Sequence, residues 1–194
     1  MATCIFNQNQ LKDCANIPKG GLIEQTVYEY FYSDWRSMVN AGLVTFAVDG
    51  SISGITNGIG IQAYKKETPS GDIMLGSAPN KVSGAFTTYI HKVKYSLIQN
   101  KQAEKNVVQS MAVEKRVCIV IKNSGEAEIY GHDQGMILIN ADNNPTDPDF
   151  GGIIPVELES DPDNAKETKK PLSIFDTDFT TTIALIQGLT VVGV

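Results

Sequence analysis

Cysteine is scarce. Cys4, Cys14 and Cys118 are the only three in 194 residues. An odd count argues against a disulfide framework and fits a reducing compartment. Cys4 and Cys14 form no CxxC pair and have no histidine nearby, so they do not read as a zinc site, which needs four N or S donors. Cys118 lies inside the apolar run RVCIVIKN and reads as a small core residue.

Long apolar runs are missing as well. No stretch approaches the ~20 residues of a membrane span. The opening MATCIFNQNQLKDC has no basic region followed by an apolar stretch, so it does not read as a secretory signal. The expectation is a protein made and kept in a cytoplasm, with no membrane partner. Positive charge is in deficit, with 16 Lys and Arg against 22 Asp and Glu, a net charge of −6. That balance argues against a binder that works by neutralising phosphates. It is compatible with a surface that lets DNA slide past.

Catalytic devices are also few. Of the two histidines, His91 lies in a long strand and His132 in IYGHDQG, next to Asp133. No GxSxG elbow accompanies them, so each reads as a hydrogen-bonded strand or turn residue. The stretch GITNGIG lacks the GK[ST] ending of a phosphate loop, and its glycines read as turns and bulges. No catalytic, cofactor-binding or metal-binding residue is assigned.

What is present is β-rich. IEQTVYEYFY, residues 23–32, alternates Val27, Glu29 and Phe31 against Tyr28, Tyr30 and Tyr32. SDWRSMVNAGL reads as a connection with one helical turn after Ser33, which could cap it. Asp49-Gly50 sits between two β-prone runs and predicts a hairpin with a type I′ turn. In the longest strand Tyr89, His91, Val93, Tyr95 and Leu97 share one face, opposite Lys92 and Lys94, as in a sheet with one covered side.

Residues 100–114, NKQAEKNVVQSMAVE, predict a helix. Ala103, Val107, Val108, Met111 and Ala112 fall on one side, as core packing. RVCIVIKNSGEAEIYGHDQGMILI gives two strands turning at Asn123–Gly125. GGIIPVELES and TIALIQGLTVV read as further strands. The intervening NADNNPTDPDFGG and SDPDNAKETKKP read as loops, the latter exposed and mobile.

This order lacks the β-α alternation of a doubly wound sheet. It predicts an α+β protein: a mainly antiparallel β-sandwich or barrel flanked by one α-helix, with long loops. Residues 1–22 read as an N-terminal arm and 23–194 as a single β domain.

Two ligand readings stay open. Asp142, Asn144, Asp147 and Asp149 lie within eight positions and offer the hard oxygens that calcium prefers. Pro145 and Pro148 stiffen that loop and the spacing is not that of an EF-hand, so a solvated, turn-rich loop is the simpler reading. Tyr28, Tyr30, Tyr32 and Trp35 could form a stacking platform for bases or sugars, or an assembly interface, where Tyr and Trp are enriched.

From residue 82 onward, KVSGAFTTYIHKVKYSLI, the helix NKQAEKNVVQSMAVE and RVCIVIKNSGEAEIYGHDQGMILI follow in an order that resembles the bacteriophage tail-tube fold. GGIIPVELES followed by KPLSIF resembles its closing portion. CIFNQNQLKDCANIPKGGL is similar to the starts of structural proteins of Bacteroidales phages, crAss-like phages among them. The resemblance implies a structural virion protein of the neck or tail, assembled in the host cytoplasm. It further implies a homo-oligomeric ring or tube, commonly of six or twelve copies, that contacts neighbouring neck and tail proteins and passes DNA without specific binding. No catalytic residue or cofactor comes with it. The alternative is a monomeric ligand- or carbohydrate-binding β-sandwich module.

Overall fold

A computed structural model of the chain describes residues 22–68, 73–81, 87–97, 102–122, 126–141, 153–161 and 166–193. Eleven strands and three helices occur among them. They are β1 (Leu22–Phe31), α1 (Tyr32–Asn40), β2 (Val44–Phe46), β3 (Ile52–Ile55), β4 (Tyr64–Glu67), β5 (Met74–Lys81), β6 (Thr87–Leu97), α2 (Gln102–Val113), β7 (Arg116–Lys122), β8 (Ala127–Tyr130), β9 (Met136–Asn140), β10 (Ile154–Ser160), β11 (Leu172–Ile174) and α3 (Phe179–Gly188).

The strands form one large mixed sheet in the order β2-β3-β11-β8-β7-β9-β10-β6-β5, with β1 on β7 and β4 on β1. Every pairing is antiparallel except β11 with β3. The fold is α+β and sandwich-like, and the sheet does not close into a barrel. It folds into two layers that meet at one register point, Arg116 opposite Met136.

Two apolar cores explain the layering. Tyr28, Tyr30, Val117, Ile119 and Ile129 face Trp35 and Met38 of α1 and Ile186 of α3. The other face of β1 and β7, through Val27, Cys118 and Val120, meets Val93, Tyr95, Val156 and Leu158 of the second layer and Met111 of α2. The strand RVCIVIK is therefore covered on both faces, which is why it reads as a continuous apolar run. The outer face of the second layer is charged. Lys94 pairs with Glu157 at 2.7 Å and Lys92 with Glu159 at 3.0 Å, directly across the β6–β10 ladder.

Three expectations need correction. TIALIQGLTVV is mostly helix: Asp178 Oδ1 accepts from Thr181 N at 2.8 Å and caps α3, and Thr182 and Ile186 are buried. SDWRSMVN is the two-turn helix α1, with Trp35 and Met38 buried one turn apart. Ser33 does not cap it, since α1 begins at Tyr32 and the Ser33 hydroxyl donates to Glu114. The Asp49-Gly50 hairpin is real but is not a two-residue turn. Ala47 N donates to Ser51 O and Gly50 N to Ala47 O, giving a three-residue connection with Gly50 at φ +87°.

Candidate functional site: a buried histidine and carboxylate node

His91 points inward from β6 on the face that carries Val93 and Tyr95, and it is fully buried. The β8–β9 connection passes over its ring. Gly131 and Gly135 hold that turn, with φ of +72° and +74°. A Cβ on Gly135 would lie 2.9 Å from the Tyr32 ring, so the turn packs tightly on α1. Gly131 N donates to His91 Nδ1 at 3.0 Å. His91 Nε2 then carries the proton and donates to Lys169 O at 3.0 Å. Burial drops the His91 pKa to about 4, so the ring is neutral at pH 7.

His132 follows Gly131 in the turn, and its ring centroid is 5.9 Å from that of His91. Its side chain is 9% exposed and its Nδ1 is buried without a hydrogen bond. Burial, reinforced by His91, holds its pKa at about 4. Its carbonyl accepts from Trp35 Nε1 at 3.0 Å, which ties the turn to α1.

Glu167 completes the node. Its carboxylate accepts from Asp133 N and Gln134 N, both at 2.9 Å, and its carbonyl accepts from Tyr89 N at 2.8 Å. Oε2 lies 3.7 Å from His132 Nδ1, too far for a hydrogen bond. Burial raises the Glu167 pKa to about 7, although the backbone N–H groups pull it down. A cavity of about 150 Å³ adjoins the node, lined by Trp35, Phe46, His132, Asp133, Thr168 and Lys169 among others.

The arrangement is not a hydrolytic triad. Neither imidazole is hydrogen-bonded to a serine, threonine or cysteine among the described residues. It can hold the 131–135 turn, β6 and the 166–169 segment together, and it offers three nitrogen and oxygen donors to a cation.

A second polar group lies between β1, β6 and β7. The Tyr95 hydroxyl donates to the Glu29 carboxylate, and both are buried. Arg116 stacks on Phe31 at 3.9 Å and donates to Ser110 Oγ at 2.8 Å, while its Nε makes no hydrogen bond. Glu29, Arg116, Lys66 and Met111 help to line another cavity of about 150 Å³.

At the β2–β3–β11 end the surface turns apolar. Among the described residues, Phe46, Val48, Ile59, Phe175, Phe179, Val191 and Val192 are seven of the eleven exposed large apolar side chains, and they lie on or beside β2, β3, β11 and α3. Phe175 and Phe179 pack edge to face at 5.5 Å. Asn57 Nδ2 pins the C-terminal segment by donating to Leu189 O and Val191 O, both at 2.7 Å.

The structure redistributes the residues that the sequence singled out. Tyr28, Tyr30 and Trp35 are core residues, each at most 1% exposed, so they are no stacking platform. Tyr32 is half-buried, and its hydroxyl donates to Asp133 O. His91 and His132, 41 positions apart in the chain, come together. Cys118 is a buried free thiol. Cys4, Cys14, Asp142, Asn144, Asp147, Asp149, the Asn123–Gly125 turn and nearly all of the 1–22 arm lie outside the described residues. Glu167 is the residue that sequence reasoning missed. NAKETKK reads as a solvated loop, and nothing local marks one of its carboxylates as fully buried.

No family model matches the chain, and no curated protein or solved structure matches it. Among the described residues no helix is long and apolar enough to cross a membrane.

Proposed function

We propose that the chain is a structural subunit that assembles with copies of itself into a ring or tube, a layer of a phage neck or tail through which DNA passes. The supporting observation is the apolar β2–β3–β11 end, where Phe175, Phe179, Val191 and Val192 are 43–68% exposed. Single exposed apolar residues are ordinary; seven on and beside neighbouring elements support an interaction surface on this side of the subunit. Among the described strands the sheet also ends at β2, β5 and β4, so it offers dissimilar strand edges. Rings need two dissimilar patches on each subunit, each fitting the other, and dissimilar edges support that reading. The buried node and the Glu29–Arg116 group fit rigid framework in such a subunit.

The test is a pair of surface variants. Phe179→Asp and Val192→Asp replace exposed side chains, so each should stay folded by circular dichroism. Each should reduce the assembled fraction seen by analytical ultracentrifugation at matched concentration. Unchanged assembly in both variants would remove this end from the interface.

A further inference from the structure

We propose that His91, His132 and Glu167 bind one zinc-class divalent cation. The donor atoms of the three residues lie within 4.8 Å of one another. A tetrahedral zinc with bonds of ~2.0–2.2 Å places its donors ~3.3 Å apart. The 3.7 Å between His132 Nδ1 and Glu167 Oε2 is close to that spacing and is too long for direct hydrogen bonding. The other donor separations, at most 4.8 Å, must shorten by up to ~1.5 Å on binding.

The unpartnered His132 Nδ1 is the second, independent observation. A buried imidazole nitrogen without a partner is costly in a packed interior, and a metal ion is one way to satisfy it. Both rings are neutral at pH 7, the form that ligates metal. His91 is already oriented. Its Nε2–H donates to Lys169 O, the outer hydrogen bond that metal-ligating histidines ordinarily make, and this leaves the lone pair on Nδ1. Ligation trades the Gly131 N–H bond to Nδ1 for a metal bond. The Glu167 carboxylate can keep both backbone donors while a free lone pair meets the ion.

Two imidazoles and one carboxylate select zinc-class ions over magnesium or calcium, which prefer all-oxygen shells. The Lys169 ammonium nearby opposes a cation, and the Asp133 carboxylate offsets it. A bound ion would fasten the 166–169 segment to the 131–135 turn more firmly than the hydrogen bonds alone. This inference is independent of the assembly reading.

The experiment uses the full-length chain without a histidine tag, with Cys4→Ser and Cys14→Ser in the background so that those thiols do not compete. Zinc is titrated against a chromophoric chelator, and melting is followed with zinc and with magnesium. The expected result is one zinc per chain and a higher Tm with zinc only. His132→Gln removes a ring whose Nδ1 makes no hydrogen bond, and its own Tm in chelator is the baseline against which its response to zinc is read. It should weaken zinc at least ~100-fold, beyond what loss of an orienting partner costs. Cobalt(II) should give visible absorption bands of a four- or five-coordinate site that vanish in His132→Gln. Absence of stoichiometric zinc, or zinc binding that survives in both His132→Gln and Glu167→Gln, would overturn the proposal.

Discussion

The Tyr95 hydroxyl on β6 donates to the Glu29 carboxylate on β1, 66 positions earlier, and so joins the two layers through the core. Both residues are at most 2% exposed. Tyr95→Phe deletes the donor and leaves a buried acceptor without it. The cost should be about 1–3 kcal/mol, read from urea denaturation. Glu29→Gln keeps an acceptor for Tyr95 and should cost less.

The same pair sets a pH dependence. Burial raises the Glu29 pKa above its ordinary value of 4.5, against the pull of the Tyr95 hydrogen bond and the Lys66 and Arg116 cations. Above pH 4.5 the unfolded chain releases this proton while the folded chain keeps it, so this group's contribution to stability falls as pH rises. Denaturation midpoints taken from pH 4 upward should show a steeper decline in the parent than in Glu29→Gln. Parallel profiles would show that Glu29 titrates in the folded protein as it does in the unfolded chain.

The β8–β9 turn should tolerate no side chain at Gly135. A Cβ there meets the Tyr32 ring and Lys115 Cβ at 2.9 Å, and φ is +74°. Gly135→Ala should cost about 1–3 kcal/mol, from strain plus displacement of α1. Gly50 has φ +87° but nothing within 4 Å of its Cβ direction. Gly50→Ala should therefore cost only the backbone term, about 1 kcal/mol. Equal losses in the two variants would mean that the Tyr32 contact is unimportant.

Glu167 makes the 166–169 segment part of the fold. Glu167→Ala orphans two backbone N–H groups and should cost at least about 2 kcal/mol by chemical denaturation. Deleting 162–169 should lower stability for the same reason. A surface substitution such as Val113→Ala, at a side chain 85% exposed, should stay within about 0.5 kcal/mol of the parent.

Periodicity carried most of the strands. The Tyr89–Leu97 alternation gave the covered face of β6, and the run RVCIVIKN marked the strand buried on both sides. The helix at 102–113 was legible because Val107, Val108 and Met111 recur at helical spacing. The α3 helix was not, because Thr180, Thr181, Thr182 and Ile183 favour strands locally. Tertiary packing of Ile186 and the Asp178 cap outweighed that preference, and the capping Asp was the one available signal. The aromatic alternation of Tyr28 and Tyr30 was visible, but not that both faces of β1 would be covered, since α1 read as a connection with only one helical turn. The node was illegible because its donors come from three distant segments, and only the topology of β6, the 131–135 turn and residue 167 brings them together.

Assembly is the central claim, and particle mass tests it most directly. Light scattering of the purified chain after size exclusion, over rising concentration, should show closed oligomers well above the 21.0 kDa of one chain, with rings or tubes in negative stain of the same fractions. A single species at the mass of one chain over the whole concentration range, with featureless images, would contradict it.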